Sequence, residues 1–325
     1  MGQFSFWNLL KEFASMLNES RKLFLKNKKL MFSVLVFYLL LNGLLYSFNV
    51  LTITPEITNM TQDLNVLSTM DPSSPEYMAQ LMKVFADFRL FVVSSDIFNV
   101  VSFIINVLSV IVIVHASALT YKHENVKFKD FVVLVLKSWK GPLVTSFYIS
   151  LFGLGYCLFF LIILFPIILS SLSIASLFSL VAKIFVLLVL FTLFGSYLAI
   201  VWYLSMVISI VEETYGIQAL GEAAKIVKGM KPKLFLFNIF YVLLISGLAQ
   251  IVTVVSLVVD RSQSFAVTLA IGLVLVVSAF MGVFLLMTYT VAYFQCKSPH
   301  GQDAESLRDV EYTTLPTTSL IGALP

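Results

Sequence analysis

Charged side chains are scarce. Asp, Glu, Lys and Arg make up 12% of the 325 residues, and 59% are hydrophobic; soluble proteins carry about 25% charge. Too few charges remain to solvate one or two soluble domains, which argues against a soluble enzyme, a disordered chain or a nucleic-acid binder. Cysteine is scarcer still. Cys157 falls inside an apolar run and Cys296 at the end of another, so no disulfide framework is expected. Cys296, beside Lys297, is a candidate palmitoylation site, with an unmodified thiol as the plainer reading. Histidine occurs only as His115, His123 and His300. No His-Glu-x-x-His, paired-cysteine, phosphate-loop or nucleophile-elbow pattern occurs. The chain is therefore read as a non-enzyme, with no catalytic, cofactor-binding or metal-binding residues expected. A cleavable leader is not evident: residues 1–29 are polar or amphipathic, and the apolar run that follows is too long for an h-region. Met1-Gly2 does not open a myristoylation motif, because Phe6 stands where Ser or Thr is needed.

What the chain does have is six long apolar stretches, each near or above the roughly 20 residues a spanning helix needs. They run from about Leu30 to Leu51, Ile97 to Leu119, Leu143 to Leu169 (with Pro166 near its outer end), Ile184 to Val211, Leu234 to Val259, and Phe265 to Phe294. The expected fold is all-α, a polytopic membrane helical bundle of six transmembrane helices. Residues 1–29 form a basic amphipathic segment, 30–295 the membrane domain, and 296–325 a disordered tail. Lys and Arg are distributed unevenly between the loops. The N-terminal segment, the second–third loop, the fourth–fifth loop and the tail hold six, five, four and two, against four (Lys83, Arg89, Lys183, Arg261) on the other side. The positive-inside rule then puts both termini in the cytosol.

The opposite side carries one long loop, about 52–96. It contains Asn59-Met60-Thr61, a candidate glycosylation site, and Ser74-Pro75-Glu76, which reads as a helix start. After it, Tyr77, Leu81, Val84 or Phe85, and Phe88 make an apolar stripe expected to lie on the membrane surface or to cover the spans. A second sequon, Asn18-Glu19-Ser20, falls on the expected cytosolic side and should stay unmodified.

Three cytosolic segments look alike, each an amphipathic helix and a basic break before a membrane hairpin. The first places Phe6, Leu9 or Leu10, Phe13, and Met16 or Leu17 at helical spacing before Arg21-Lys22 and Lys28-Lys29. The second places Phe128, Phe131 or Val132, Val135 and Trp139 before Lys140-Gly141-Pro142. The third places Ile217, Leu220, Ala224 and Val227 before Lys228-Gly229 and Lys231-Pro232-Lys233. Such helices either enter the headgroup boundary or cap the bundle. The first, with Phe4, Phe6, Trp7 and Phe13, is the stronger lipid-contact candidate, and the third has the smaller apolar face.

Polar groups within the spans are few. Asp96 either caps the second spanning helix or contacts an ion or solute. His115 reads as a hydrogen-bonded anchor, and Lys183 as a side chain reaching back to the interface. Glu212 and Glu213 end the fourth span, with Lys225 or Lys228 as candidate partners. Asn42, Asn99, Asn106 and Gln250 are candidates for bonds between helices, and Ser146, Ser150, Gly153, Ser278 and Gly282 for close helix contacts.

One stretch carries a family likeness: Trp202-Tyr203-Leu204-Ser205, Ile210-Val211-Glu212, Gly216-Ile217-Gln218-Ala219-Leu220 and Ala224-Lys225-Ile226-Val227-Lys228-Gly229. It resembles the signature of the YciC-like and glycerophosphodiester phosphodiesterase membrane-domain group, in which Arg-Ser usually follows Ala-Leu. Glu222-Ala223-Ala224 stand near that place here. The tail, with Val310-Glu311-Tyr312 and Gly322-Ala323-Leu324-Pro325, resembles that of uncharacterised plant multi-pass membrane proteins. The resemblance implies a six-helix membrane domain without an assigned reaction.

Two functions fit this pattern. The first is membrane or lipid organisation, or scaffolding, through the basic amphipathic helices. Lys22, Lys28, Lys29, Lys137, Lys140, Lys231 and Lys233 are then the lipid-facing candidates. Its partners are membrane lipids and other membrane proteins, not nucleic acid. The second is a transporter or channel for a small solute or lipid, with Asp96 as the candidate contact. The expected location is integral to the endomembrane system or the plasma membrane.

Overall fold

The computed structural model describes residues 6–122, 128–174, 177–212, 214–227, 230–258 and 264–297. Expectations resting on Phe4, His123, Glu213, Lys228, Gly229, Arg261, His300 and the tail beyond 297 fall outside those residues.

The described residues are helical, without a strand. In chain order the helices are α1 (Phe6–Lys26), α2 (Lys28–Phe48), a π segment (Asn49–Ile53), α3 (Thr54–Thr69), α4 (Pro75–Lys122), α5 (Phe128–Lys137), α6 (Lys140–Ile174), α7 (Leu177–Val211), α8 (Ile217–Ile226), α9 (Lys231–Val258) and α10 (Ser264–Lys297). Six helices are long and apolar enough to cross a membrane, and each contains one of the six apolar stretches. This is a membrane protein.

The packing is uneven along the spans. Buried residues concentrate at the end of the bundle that carries α1, α5 and α8, here the basal end. They come from α4 (Ile111, Val114, Ala116), α7 (Leu204, Val207, Ile208), α9 (Leu234, Phe237) and α10 (Met287, Tyr289, Tyr293). None of the most apolar window of α6 is buried. A lipid tail is as apolar as Leu, so residues such as Phe159 and Ile162 lose little by facing it. At the basal end apolar side chains are instead buried against one another, as hydrophobic burial favours wherever water is the alternative.

The segment expected as an outer loop is helical and stands away from the bundle. The π segment carries α2 on into α3 without a break, and α4 begins at Pro75, where Ser74 Oγ accepts the Tyr77 N–H at 3.2 Å. At 1.5 Å per residue the 48-residue α4 is about 72 Å long, more than twice the roughly 30 Å hydrocarbon thickness. Tyr77, Leu81 and Val84 turn towards α3, while Phe85 and Phe88 are exposed. The stripe thus serves a helix pair, and the expected membrane-surface helix is replaced by an arm. Lys83 Nζ reaches Asp63 Oδ1 at 2.8 Å and Gln80 Nε2 reaches the same oxygen at 3.0 Å, closing the pair. Ser94 adds a bond to Glu56 at 2.8 Å. Asp96 lies in mid-helix on an exposed face, so it caps nothing.

Small residues set two approaches. A Cβ on Gly282 of α10 would meet the Tyr38 hydroxyl of α2 at 3.0 Å, and one on Gly141 would meet Ser209 O at 3.0 Å. Gly153, expected as a packing residue, faces open space.

Candidate functional site

α1 packs on the bundle with the face that the heptad-like spacing marks. Met16, Ser20 and Leu23 are buried, and Phe13 meets Phe237 and Phe240 with ring centroids 6.4 and 6.0 Å apart. Ser20 donates to Met16 O and accepts from Thr288 Oγ1 at 3.0 Å; Glu12 pairs with Lys233 at 3.0 Å. The face expected to enter lipid is therefore occupied by α9 and α10. Trp7 remains outside, 72% exposed.

This packing does not close completely. A groove of about 510 Å³ opens between α1, α9 and α10, walled by Leu17, Phe240, Leu244, Phe280, Met281 and Phe284. Arg21 and Asn18 supply its polar part, with Arg21 Nη2 donating to Asn18 Oδ1 at 2.9 Å. Phe24 against Phe280, at 5.8 Å, continues the aromatic wall.

α5 is apolar on two sides. Phe131 and Val135 are buried, whereas Val133 and Leu136 are more than 60% exposed beside Lys129, Lys137, Lys140 and Trp139, all exposed. Its buried side is tied to α4 through His115, whose Nε2 lies 2.6 Å from Ser138 Oγ. Ser138 Oγ also lies 2.8 Å from Leu134 O, within its own turn.

A second recess, of about 250 Å³, lies between α7 and α9 and is more polar, with Thr192, Ser196, Tyr203, Asn238 and Tyr241 in its lining. Asn238 is its organising residue. Its Nδ2 donates to Ser196 O and its Oδ1 accepts from Tyr289, both at 2.8 Å, joining α7, α9 and α10. Asn238 was not among the amides expected to bridge helices. Asn42 and Asn106, which were, bond to carbonyls of their own helices. The signal was present: Asn238 falls on the same face as Leu234, Phe237 and Tyr241, at helical spacing.

At the end of α7, Glu212 Oε1 accepts from Lys297 Nζ at 3.0 Å and also from the Tyr293 hydroxyl. Lys297 and Tyr293 are thus partners of Glu212 where Lys225 was a candidate; Lys228 lies outside the described residues. Beyond it, Gly216 has φ +66° and its N–H donates to Thr145 Oγ1 at 2.9 Å. This turn lets α8 fold back with Ala219, Ala223 and Val227 inward. Of the face expected here, Val227 is buried and Leu220 half-buried, while Ile217 and Ala224 are exposed and Ala219 and Ala223 take the inward places.

The remaining sequence candidates do not converge. Asp96 is on α4, on an exposed face, with no part in either recess. Lys22, Lys28 and Lys29 are exposed at the basal end; Lys231 bonds Tyr197 Oη at 2.9 Å, and Lys233 holds Glu12. Cys296 is buried, so its thiol is not presented for acylation in this conformation. Asn59 is exposed on α3. Among the described residues no group of three His, Cys, Asp or Glu side chains gathers to hold a metal ion.

Residues 3–310 match a family described as a domain of unknown function, DUF8558. The chain belongs to this family. The match covers all ten helices, so groove, recess and basal helices all lie within the one family domain. No curated protein and no solved structure matches the chain.

Proposed function

We propose that the chain is a non-enzymatic integral membrane protein that organises lipid, or scaffolds other membrane proteins, at the cytosolic leaflet through its basal helices. The observation that carries this reading is the outward face of α5. Exposed Val133 and Leu136 stand among Lys129, Lys137, Lys140 and Trp139. An exposed apolar strip edged by lysines and a tryptophan fits the boundary between headgroups and acyl chains. The uneven loop charge supports a cytosolic basal end, where anionic lipid attracts lysine at about 1 kcal/mol per residue near the surface. The reading takes the chain as three units, each an amphipathic helix followed by a membrane hairpin. The resemblance of 202–229 to the YciC-like group is in keeping with a membrane domain that carries no reaction.

The test is reconstitution in nanodiscs of mixed zwitterionic and anionic phospholipid, followed by lipid analysis of the purified particles. The wild-type protein should be enriched in anionic lipid. A variant with Val133→Ser, Leu136→Ser, Lys137→Gln and Lys140→Gln should insert normally and lose that enrichment. Unchanged enrichment in the variant rejects the reading.

The polar recess favours a second reading, a transporter or channel. Thr192, Tyr203 and Tyr241 line it beside Ser196 and Asn238, which bond within the bundle, and polar side chains among apolar spans mark solute paths in membrane proteins. Saturable solute flux into liposomes that falls on replacing Tyr241 with Phe would support it; absence of flux would reject it.

A further inference from the structure

We infer that the groove between α1, α9 and α10 is a binding site for a single anionic phospholipid, its phosphate on Arg21 and an acyl chain along Phe240, Leu244 and Phe280. The inference rests on the lipid reading above and narrows it to one site.

Three observations combine. The first is shape and lining: about 510 Å³ of space with apolar walls and two polar side chains. That volume is within the roughly 300–1,000 Å³ of sites for single ligands. The second is charge. The acidic residues of α1 are engaged elsewhere, Glu12 with Lys233 at 3.0 Å and Glu19 with Gln295. Arg21 forms no ion pair among the described residues, and its hydrogen bond is to a neutral amide, Asn18. A guanidinium held at one nitrogen keeps its remaining donors for a phosphate, which it can grip with two parallel bonds. The third is position. Leu244 and Phe280 belong to helices long and apolar enough to cross a membrane, and Leu244 is ten residues, about 15 Å, past Leu234. Arg21 is on α1 at the basal end. A molecule with one anionic end and a long apolar body matches that gradient; a soluble phosphate would leave the aromatic walls unused.

The experiment is native mass spectrometry of the full chain released from nanodiscs of mixed zwitterionic and anionic phospholipid. The wild-type protein should retain one phospholipid per chain, with the anionic species preferred. Arg21→Gln should lower that retention roughly ten-fold or more, the loss expected for a charge-assisted bond. Arg21→Lys, which keeps charge without the fork, should fall between. Leu244→Trp, which fills the groove, should release the lipid with Arg21 intact. Thermal unfolding of each variant identifies any that fail to fold. Equal retention of zwitterionic and anionic lipid, or equal retention by wild type and Arg21→Gln, overturns the site. So does a lipid-free dimer closed over the groove, or displacement by glycerophosphate alone. The α5 variant separates the two ideas. Loss of bulk enrichment with the single lipid still bound supports both, whereas bulk enrichment without any retained lipid removes the site and leaves the broader reading standing.

Discussion

Lys297 Nζ lies 3.0 Å from Glu212 Oε1 and joins the last residue of α10 to the residue that follows α7. Both side chains are mostly covered, 16% and 19% exposed, and the Tyr293 hydroxyl donates to the same oxygen. α1 packs against α10, and this ion pair ties the end of α10 to the end of α7, beside the Asn238 bonds that already join α7, α9 and α10.

Removing one partner leaves the other charge mostly covered and unpaired. Lys297→Met should therefore destabilise the protein by about 1–3 kcal/mol. The double variant with Glu212→Gln should recover part of the loss, because neither charge then remains. Thermal unfolding in detergent of the single and double variants checks this. A double variant worse than the sum of the two singles would show that the pair is not what links these helices.

Gly216 and Gly221 are five residues apart and should respond oppositely to alanine. At Gly216 the φ of +66° and a Cβ only 3.2 Å from the Tyr148 ring make Ala strained, a cost of about 1–3 kcal/mol. At Gly221, inside α8 and with nothing within 4 Å, Ala should gain about 0.5–1 kcal/mol in helix propensity. The same unfolding assay distinguishes them, and a harmless Gly216→Ala would contradict the turn described here.

The two sequons test orientation. Translation into microsomes should add a single glycan, lost in Asn59→Gln and unaffected by Asn18→Gln. A glycan on Asn18 would invert the chain and remove the cytosolic assignment of the basal helices.

The arm should be sensitive to pH through an acidic pair outside the apolar spans. The Lys83 hydrogen bond, and then one from Asp87, hold the Asp63 carboxyl below the ordinary carboxylate range. Asp87 is pushed above that range, chiefly by its hydrogen bond with Asp63. Asp63 thus favours the folded arm above its unfolded pKa, and that contribution is lost as pH falls through its lowered value. Asp87 does the opposite: its contribution is present below its unfolded pKa and is lost as pH rises through its raised value. At neutral pH Asp87 is the unfavourable member, so Asp87→Asn, which keeps a donor to Asp63 and drops the charge, should raise amide protection in α3 and the start of α4. The gain should shrink near pH 4, and hydrogen exchange at both values measures it. A gain that is as large in acid would point to something other than charge.

Much of the architecture was legible. Length of apolar run is a direct physical requirement for crossing a bilayer, and it gave all six helices. Ser74 and Pro75 named the start of α4 by local cap chemistry. The continuity of α2 into α3, and of α4 back to Pro75, was not legible, because an apolar run marks where lipid begins and not where a helix stops. Nor could periodicity say which side of α7 or α10 faces inward, since these helices are apolar all round. The spacing marks Asn238, but its partners on α7 and α10, and the groove that exposed Arg21 shares with Phe240 and Phe280, emerge only from packing. In α8 the inward residues include Ala219 and Ala223, whose small side chains permit a close backbone approach but add little to an apolar pattern.

α4 runs unbroken from the tip of the arm, through the span, to Ala116 and Leu119 in the basal core. A helix of that kind is a stiff rod, so its two ends cannot reorient independently. If the basal third is the fulcrum, a tilt of about 10° carries the arm's tip through about 10 Å. A force on the arm's tip is therefore transmitted along α4 to the packed basal core.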